Sequence, residues 1–184
     1  MNKKHFLKAL VVIVVGVVIL LAMGRIPFCK CGVITAWSSD VMSNQQSQQF
    51  ADPYTFTHVL HGIGFYFLLW FMFGRKLTVG RRLVLAVALE TGWEILENTD
   101  YIINRYREAT ISLDYYGDSI FNSVGDILAM MLGFVFAYKL PPWASLGLFI
   151  AIDGLLLFFI RDSLLVNIIM LIRPIEAIKN WQLR

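Results

Sequence analysis

The sequence predicts an all-α fold, a polytopic transmembrane helix bundle of about five spans plus a short interfacial C-terminal helix. Three observations predict it. Of 184 residues, 58% are hydrophobic and 16% charged, against roughly 45–50% apolar and 25% charged in soluble domains. The excess is gathered into long runs, residues 9–23, 59–73 and 146–160, rather than spread through the chain. The basic residues sit in short clusters at the ends of these runs, as topology signals do. They form no basic face on a soluble fold, so no nucleic-acid partner is expected. No repeat or long linker divides residues 1–184, which read as a single integral membrane domain.

Lys3, Lys4 and Lys8 lead into an apolar stretch over about residues 7–24 that approaches span length. An uncleaved first helix and a signal peptide ending near Ala22-Met23-Gly24 both fit, and both place the next segment outside. Residues 25–54, centred on Ser43-Asn44-Gln45-Gln46-Ser47-Gln48-Gln49, read as a polar loop with at most one surface turn of helix. A second span covers about 56–73. The connection after it carries Arg75, Lys76, Arg81 and Arg82 without an acid, which assigns it and the N-terminus to the cytoplasm.

A third helix, about 83–98, is apolar except for Glu90, Glu94 and Glu97. Residues 99–117 mix acids, arginines and tyrosines and belong outside. The fourth span, about 118–138, is capped by Lys139 and stopped by Pro141-Pro142; the fifth covers about 143–160. Residues 164–172 are too few to cross a ~30 Å hydrocarbon core at about 1.5 Å per residue, which predicts an interfacial or re-entrant helix. A sixth span is the alternative. Trp70, Trp93, Trp143 and Tyr138 lie near several boundaries, as interface anchors do, with Trp93 somewhat deeper than the others. Gly125, Ala129 and Gly133, spaced by four, predict close helix packing.

Ionisable side chains inside a span are costly and usually face a protein interior or a watery cavity. Here they share a depth. His58 and His61 fall on one face in the first turns of the second span. Glu90, Glu94 and Glu97 form a stripe on the outer half of the third, and Asp118, Asn122 and Asp126 another on the fourth. Arg161 and Asp162 close the fifth at the same surface. Glu90, Asp126 and Asp153 each lie roughly 10–12 Å below that boundary at 1.5 Å per residue. Such acids must pair with Arg161, a histidine or a cation, or take up protons. The pattern predicts a polar pocket open to the outside, walled by His58, His61, Glu90, Glu94, Glu97, Arg105, Asp114, Asp118, Asn122, Asp126 and Arg161. The plainer alternative is that these groups only hydrogen-bond and orient neighbouring helices.

The stretch Ala109-Thr110-Ile111-Ser112-Leu113-Asp114-Tyr115-Tyr116-Gly117-Asp118-Ser119-Ile120 resembles the hallmark block of an uncharacterised family of bacterial multi-pass membrane proteins. The resemblance includes Leu21-Ala22-Met23-Gly24-Arg25, Cys29-x-Cys31-Gly32, His58-x-x-His61-Gly62, Trp93-Glu94-Ile95-x-Glu97-Asn98 and Arg161-Asp162. It implies an inner-membrane location and brings no assigned activity. A shorter resemblance is to VanZ-like membrane proteins. Asp118-x-x-x-Asn122-x-x-Gly125, with Arg105 and Arg107 upstream, is similar to their Arg…Asp-x-x-x-Asn-x-x-Gly segment. Glu90 and Glu94 fall near their acidic helix, where Glu94 or Glu97 replaces the usual glutamine. That resemblance points to the cell envelope and names no chemistry.

Three kinds of function fit such a pocket. One is binding without turnover, of a membrane lipid, a lipid-linked or envelope ligand, or an assembly partner. A second is an enzyme on a lipid-linked substrate, with Glu90, Glu94, Asp118 and Asp126 as candidate acid–base groups and Arg105, Arg107 and Arg161 as anion clamps. The third is proton or ion movement through Glu90, Asp126 and Asp153. A divalent metal is a candidate cofactor, with His58, His61, Glu94 and Glu97 as ligands suited to zinc or manganese. Cys29 and Cys31 would either bridge each other, a strained closure across one residue, or join the histidines in a Cys2His2 site. Nothing in the sequence sets the oligomeric state.

Overall fold

A computed structural model describes residues 2–110, 112 and 114–183; Ile111 and Leu113 of the block at 109–120 lie outside the described residues. These residues form eight α-helices and no strand. They are α1 Lys3–Ala22, α2 Thr55–Phe73, α3 Val79–Glu97, α4 Asp100–Ala109, α5 Ile120–Lys139, α6 Pro142–Ile160, α7 Leu164–Ile172 and α8 Glu176–Gln182. Side-chain oxygens start several of them. Asn2, Thr78, Thr99, Ser119 and Ser163 each accept a backbone N–H of the first turn, and Pro142 opens α6 where no N–H is needed.

Four helices are long and apolar enough to cross a membrane: Lys3–Ala22, Thr55–Lys76 (α2 with the short 3-10 turn after it), Ile120–Lys139 and Pro142–Ile160. The third helix, α3, has as many residues as α2 and packs against α1, α2 and α5, but carries too much charge to qualify by composition. Three of its charges are turned inward, with Arg82, Glu90 and Glu94 all buried, while Arg81 is exposed. It begins at Val79, four residues before the predicted start, because Thr78 caps it and takes Arg81 and Arg82 into its first turns.

The centre of the bundle is a contact between bare backbones. A Cβ added to Gly62 of α2 would stand 2.0 Å from the carbonyl oxygen of Met130, and one added to Gly133 of α5 would stand 2.0 Å from that of Val59. Only glycine permits that approach, and Leu83, Ala86, Val87, Ile127, Met130 and Phe134 fill the space around it. On the other side α1 lies along α3, with Ala9, Gly16 and Leu20 buried. The outward faces are apolar: Phe71 is 84% exposed and Phe158 78%, as suits contact with lipid chains.

The segment between α1 and α2 departs from expectation. It contains turns but no helix, and its centre does not lie at the surface: Ser47, Gln48, Gln49 and Asp52 are buried. Its carbonyls cover the start of α5. Ser47 accepts the Ser119 N–H at 3.0 Å, Gln48 the Ser119 hydroxyl at 2.9 Å and Gln49 the Asn122 amide at 2.9 Å. Gly125 admits the chain here, since a Cβ on it would stand 2.0 Å from the Phe50 carbonyl oxygen. The predicted helix packing at Gly125 is therefore loop packing, whereas that at Gly133 is between helices. Cys29 and Cys31 are joined to each other. That takes both thiols away from the histidines and removes the Cys2His2 alternative.

The short helices complete the same end. The apolar run at 164–172 forms a helix, α7, as predicted. Two further helices, α4 and α8, form in segments for which the sequence predicts no helix. Arg105 of α4 donates from Nε to the Leu171 carbonyl at 2.9 Å and from Nη2 to that of Ile172 at 3.3 Å, closing the C-terminal end of α7. Lys179 of α8 donates to the Glu108 carbonyl.

Candidate functional site

The polar stripes of three helices meet where α2 and α5 begin and α3 ends. One turn into α2, His58 places Nδ1 2.5 Å from Glu90 Oε1 and 3.5 Å from Glu94 Oε1, and Nε2 3.8 Å from Asp126 Oδ2. His61, on the same face, places Nδ1 3.2 Å from both oxygens of Glu90. Glu90 therefore accepts from both imidazoles, which puts a hydrogen on Nδ1 of each ring and leaves Nε2 of each directed away from Glu90. Glu90 and Glu94 are both 0% exposed. Yet both oxygens of Glu94 and Oδ1 of Asp126 receive no hydrogen bond. A buried carboxylate without donors is costly unless a proton or a cation completes it.

Asp118 is settled differently. It stands just before the cap of α5, where its Oδ1 accepts from the Tyr115 hydroxyl and its Oδ2 from the Asn98 amide, each at 2.9 Å, while its own N–H donates to Asn98 Oδ1 at 2.8 Å. Arg25 binds the Tyr116 carbonyl at 3.0 Å. Gly117 between them has φ +94 and admits the Arg25 guanidinium and Ile103 at its α-carbon, so the Asp114–Asp118 stretch is folded back onto α3 and α4.

Above the cluster is a cavity of about 380 Å³. His58, His61, Glu97, Asp118 and Asp126 line its polar side; Tyr54, Phe65, Trp93, Tyr106 and Tyr115 supply rings; Leu164, Ile168 and Leu171 of α7 cover it. Burial, followed by the neighbouring acids Glu97 and Asp118, holds the phenols of Tyr106 and Tyr115 well above their ordinary range, so both remain neutral donors. The cover is fastened by Asp162, whose Oδ2 accepts from the Tyr54 hydroxyl and the Asn167 amide at 3.0 Å each, and whose Oδ1 accepts the Ser163 N–H at 2.9 Å. Burial raises its pKa from 3.8 to about 6 despite these bonds.

The predicted residues thus separate into groups. His58, His61, Glu90, Glu94, Glu97, Asp118 and Asp126 converge. Asn122 is buried against the Gln49 carbonyl and positions the loop instead of lining the cavity. Arg161 points outward: it ends α6 in the left-handed region at φ 54, and that turn sends Asp162 inward in its place. Asp114 is exposed, and Arg105 and Arg107 bind carbonyls of Leu171, Ile172 and Tyr115, so no anion clamp of arginines forms. Asp153 accepts the Leu165 N–H at 3.4 Å and lies off the cavity wall. Trp93, expected at an interface, faces His61 with ring centroids 6.1 Å apart. The metal set expected from His58, His61, Glu94 and Glu97 is redistributed. Among the described residues the groups close enough to share an ion are His58–His61–Glu90, His58–Glu94–Asp126 and Glu94–Glu97–Asp118. The loop and α4 contributions, Gln46, Ser47, Tyr54, Ser112, Tyr106 and Tyr115, carry no periodic signal that would have marked them.

Fold and site together define a class: an all-helical protein with membrane-spanning helices and a histidine–carboxylate cluster beneath a covered cavity at one end of the bundle. The chain belongs to a family described as protein of unknown function, DUF2585, which matches residues 20–184. It is 51% identical over 171 residues to a UPF0314 protein of Paracoccus denitrificans, covering 93% of this chain and 88% of that one. It is 44% identical over 182 residues to a UPF0314 protein of Sphingopyxis alaskensis, covering 98% and 96%. A UPF0314 protein of Rhizobium etli is 44% identical over 177 residues, 96% of this chain and 90% of its own. No solved structure matches the chain.

Proposed function

We propose that the chain is an integral protein of the bacterial inner membrane, with a cytoplasmic N-terminus, whose cavity opens toward the outer face and binds the head group of an envelope or lipid ligand. The orientation is supported by charge. Lys3, Lys4, Lys8, Arg75, Lys76, Arg81, Arg82 and Lys139 gather at the end away from the cavity, where the His5 ring lies against Gly80. All 13 acidic residues lie in the outer halves of helices or beyond them. The packing of α1 along α3 supports a retained first span.

One observation carries the ligand reading: among the described residues the cavity wall holds Glu97, Asp118, Asp126 and aromatic rings and includes no lysine or arginine. An anionic group meets three acids there and only two histidines, both already engaged by Glu90, whereas an ammonium group finds carboxylates and ring faces together. The ligand class is therefore an amine-bearing head group, with α7 supplying the apolar contact for the part that remains in the lipid.

Native mass spectrometry of protein extracted in mild detergent from mixed bilayers tests this. Phosphatidylethanolamine should be retained in preference to phosphatidylglycerol, and Glu97→Gln should reduce the preference. Equal retention of both lipids, or preference for the anionic one, overturns the reading. Catalysis on the same ligand is a second reading, supported by His58 and Asp126 lining the cavity with Glu94 directly behind them. Proton or ion translocation has less support, because Asp153 is engaged with α7 and does not continue the chain of acids.

A further inference from the structure

The three carboxylate–histidine groups are not equivalent. In His58–His61–Glu90 the carboxylate is satisfied by the two rings, at 2.5 and 3.2 Å. In Glu94–Glu97–Asp118 both oxygens of Asp118 are occupied, by Tyr115 and Asn98. The middle group, His58–Glu94–Asp126, is the one left open. Glu94 is fully buried with both oxygens unpartnered, and Asp126 is 4% exposed with Oδ1 unpartnered. His58 turns Nε2 toward Asp126 Oδ2 at 3.8 Å while Nδ1 is taken by Glu90.

We infer that His58 Nε2, Glu94 and Asp126 hold one divalent metal ion of the zinc or manganese kind, with Glu90 as the carboxylate that orients the histidine. The donor set is one nitrogen with carboxylate oxygens, which suits those ions. A ring nitrogen of His58 and one carboxylate oxygen from each of Glu94 and Asp126 lie within 4.8 Å of one another, and Nε2 is the nitrogen that faces Asp126, at 3.8 Å. Bonds of about 2.1 Å put two ligands of one ion at most about 4.2 Å apart, so closure asks about half an ångström of side-chain movement. The ion's charge neutralises Glu94 and Asp126, the two acids that lack donors. Glu90 joined to the far nitrogen of a metal-binding histidine is the usual supporting contact of such sites. Because His58 and Asp126 line the cavity, the ion faces it, while Glu97 and Asp118 remain on the wall for the head group.

The test is elemental analysis of the full chain, purified without chelators or affinity metals, followed by equilibrium dialysis against Zn²⁺, Mn²⁺ and Co²⁺. Wild type should hold about one equivalent, and the Co²⁺ form should show the visible absorption of a mixed nitrogen–oxygen site. Glu94→Gln and Asp126→Asn, both isosteric, should abolish binding, and Glu90→Gln should weaken it about tenfold to a hundredfold. The Cys29→Ser/Cys31→Ser double variant should bind as wild type does. Under about a tenth of an equivalent in wild type, with no Co²⁺ spectrum, overturns the inference even if a variant fails to fold. Undiminished binding by both isosteric variants, or loss in the cysteine variant, also overturns it. Lipid retention is measured on the same preparations. Metal-free protein that still prefers the amine lipid would refute only the metal site, and metal-loaded protein without that preference only the head-group reading.

Discussion

Gly125→Ala tests whether the buried loop is part of the site's framework or merely lies on it. The added Cβ would stand 2.0 Å from the Phe50 carbonyl oxygen and 3.1 Å from its carbon, both backbone atoms that no rotamer change can move. Real Cβ contacts essentially never fall under 3.0 Å, so the loop must withdraw by at least 1.0 Å, the difference between 3.0 and 2.0. That withdrawal stretches the neighbouring buried bonds to the Gln48 and Gln49 carbonyls, now 2.9 Å each. Overpacking together with one poorly satisfied buried group costs about 2–4 kcal/mol. For a chain of this size that lowers the melting temperature by roughly 5–15 °C. The assay is thermal unfolding in one detergent, followed by tryptophan fluorescence. Gly64→Ala and Gly92→Ala are the controls, because a Cβ at either meets nothing within 4 Å. They should melt at or slightly above wild type, since helix-interior glycine costs about 0.5–1 kcal/mol relative to alanine. If Gly125→Ala melts with wild type, or Gly92→Ala falls as far as Gly125→Ala, the reasoning from backbone contact fails.

Further outcomes follow from the lid and from the charge pattern. Asp162 has a pKa raised from 3.8 to about 6 by burial, so the folded state holds its proton more tightly than the unfolded chain. Its contribution is full below pH 3.8 and lost as pH rises through 6, an upper bound of about 3 kcal/mol for a shift of about two units. Relative to Asp162→Asn, wild type should gain stability as pH falls from 7 to 5 in thermal melts; parallel pH profiles would contradict this. For orientation, alkaline phosphatase fused after Gly117 should be active and after Val79 inactive, and the reverse pattern would overturn the assignment of faces.

Much of the helical framework can be read directly, because membrane helices must satisfy their own backbone and therefore announce themselves as apolar runs. The second, fourth and fifth predicted spans match α2, α5 and α6 within a few residues. The misreadings share a cause. Residues 43–49 are polar, and polarity usually signals the surface; here Gln48 and Gln49 are 1% exposed because their backbone carbonyls meet the open start of α5, the Gln48 amide donates to the Gly117 carbonyl, and the Gln49 amide donates to the Val33 carbonyl and accepts the Thr35 N–H. That partnership is long-range, and no local pattern encodes it. The amphipathic α4 was hidden in the same way, among charges that mark it as outside without showing a helix.

The site divides along the same line. Helical spacing brought His58, His61, Glu90, Glu94 and Asp126 to one depth, since side chains on a helix have fixed directions and the helices had to pack. Arginine was expected among them, Arg161 as a partner for the acids and Arg105, Arg107 and Arg161 as an anion clamp, and the structure places all three elsewhere for a geometric reason. Arg161 and Asp162 are neighbours in sequence, but the left-handed turn at Arg161 sends the two side chains in opposite directions, and Asp162 fastens the lid. Arg105 and Arg107 spend their donors on carbonyls at the ends of short elements. The result is a buried set of acids whose only nearby basic side chains, among the described residues, are two histidines, both tied to the same carboxylate. An excess of negative charge so placed does not persist uncompensated in a low-dielectric interior. Protons, a metal ion or a positively charged head group would each supply that compensation, and this charge balance, rather than the shape of the cavity, is the ground on which an amine-bearing ligand is proposed.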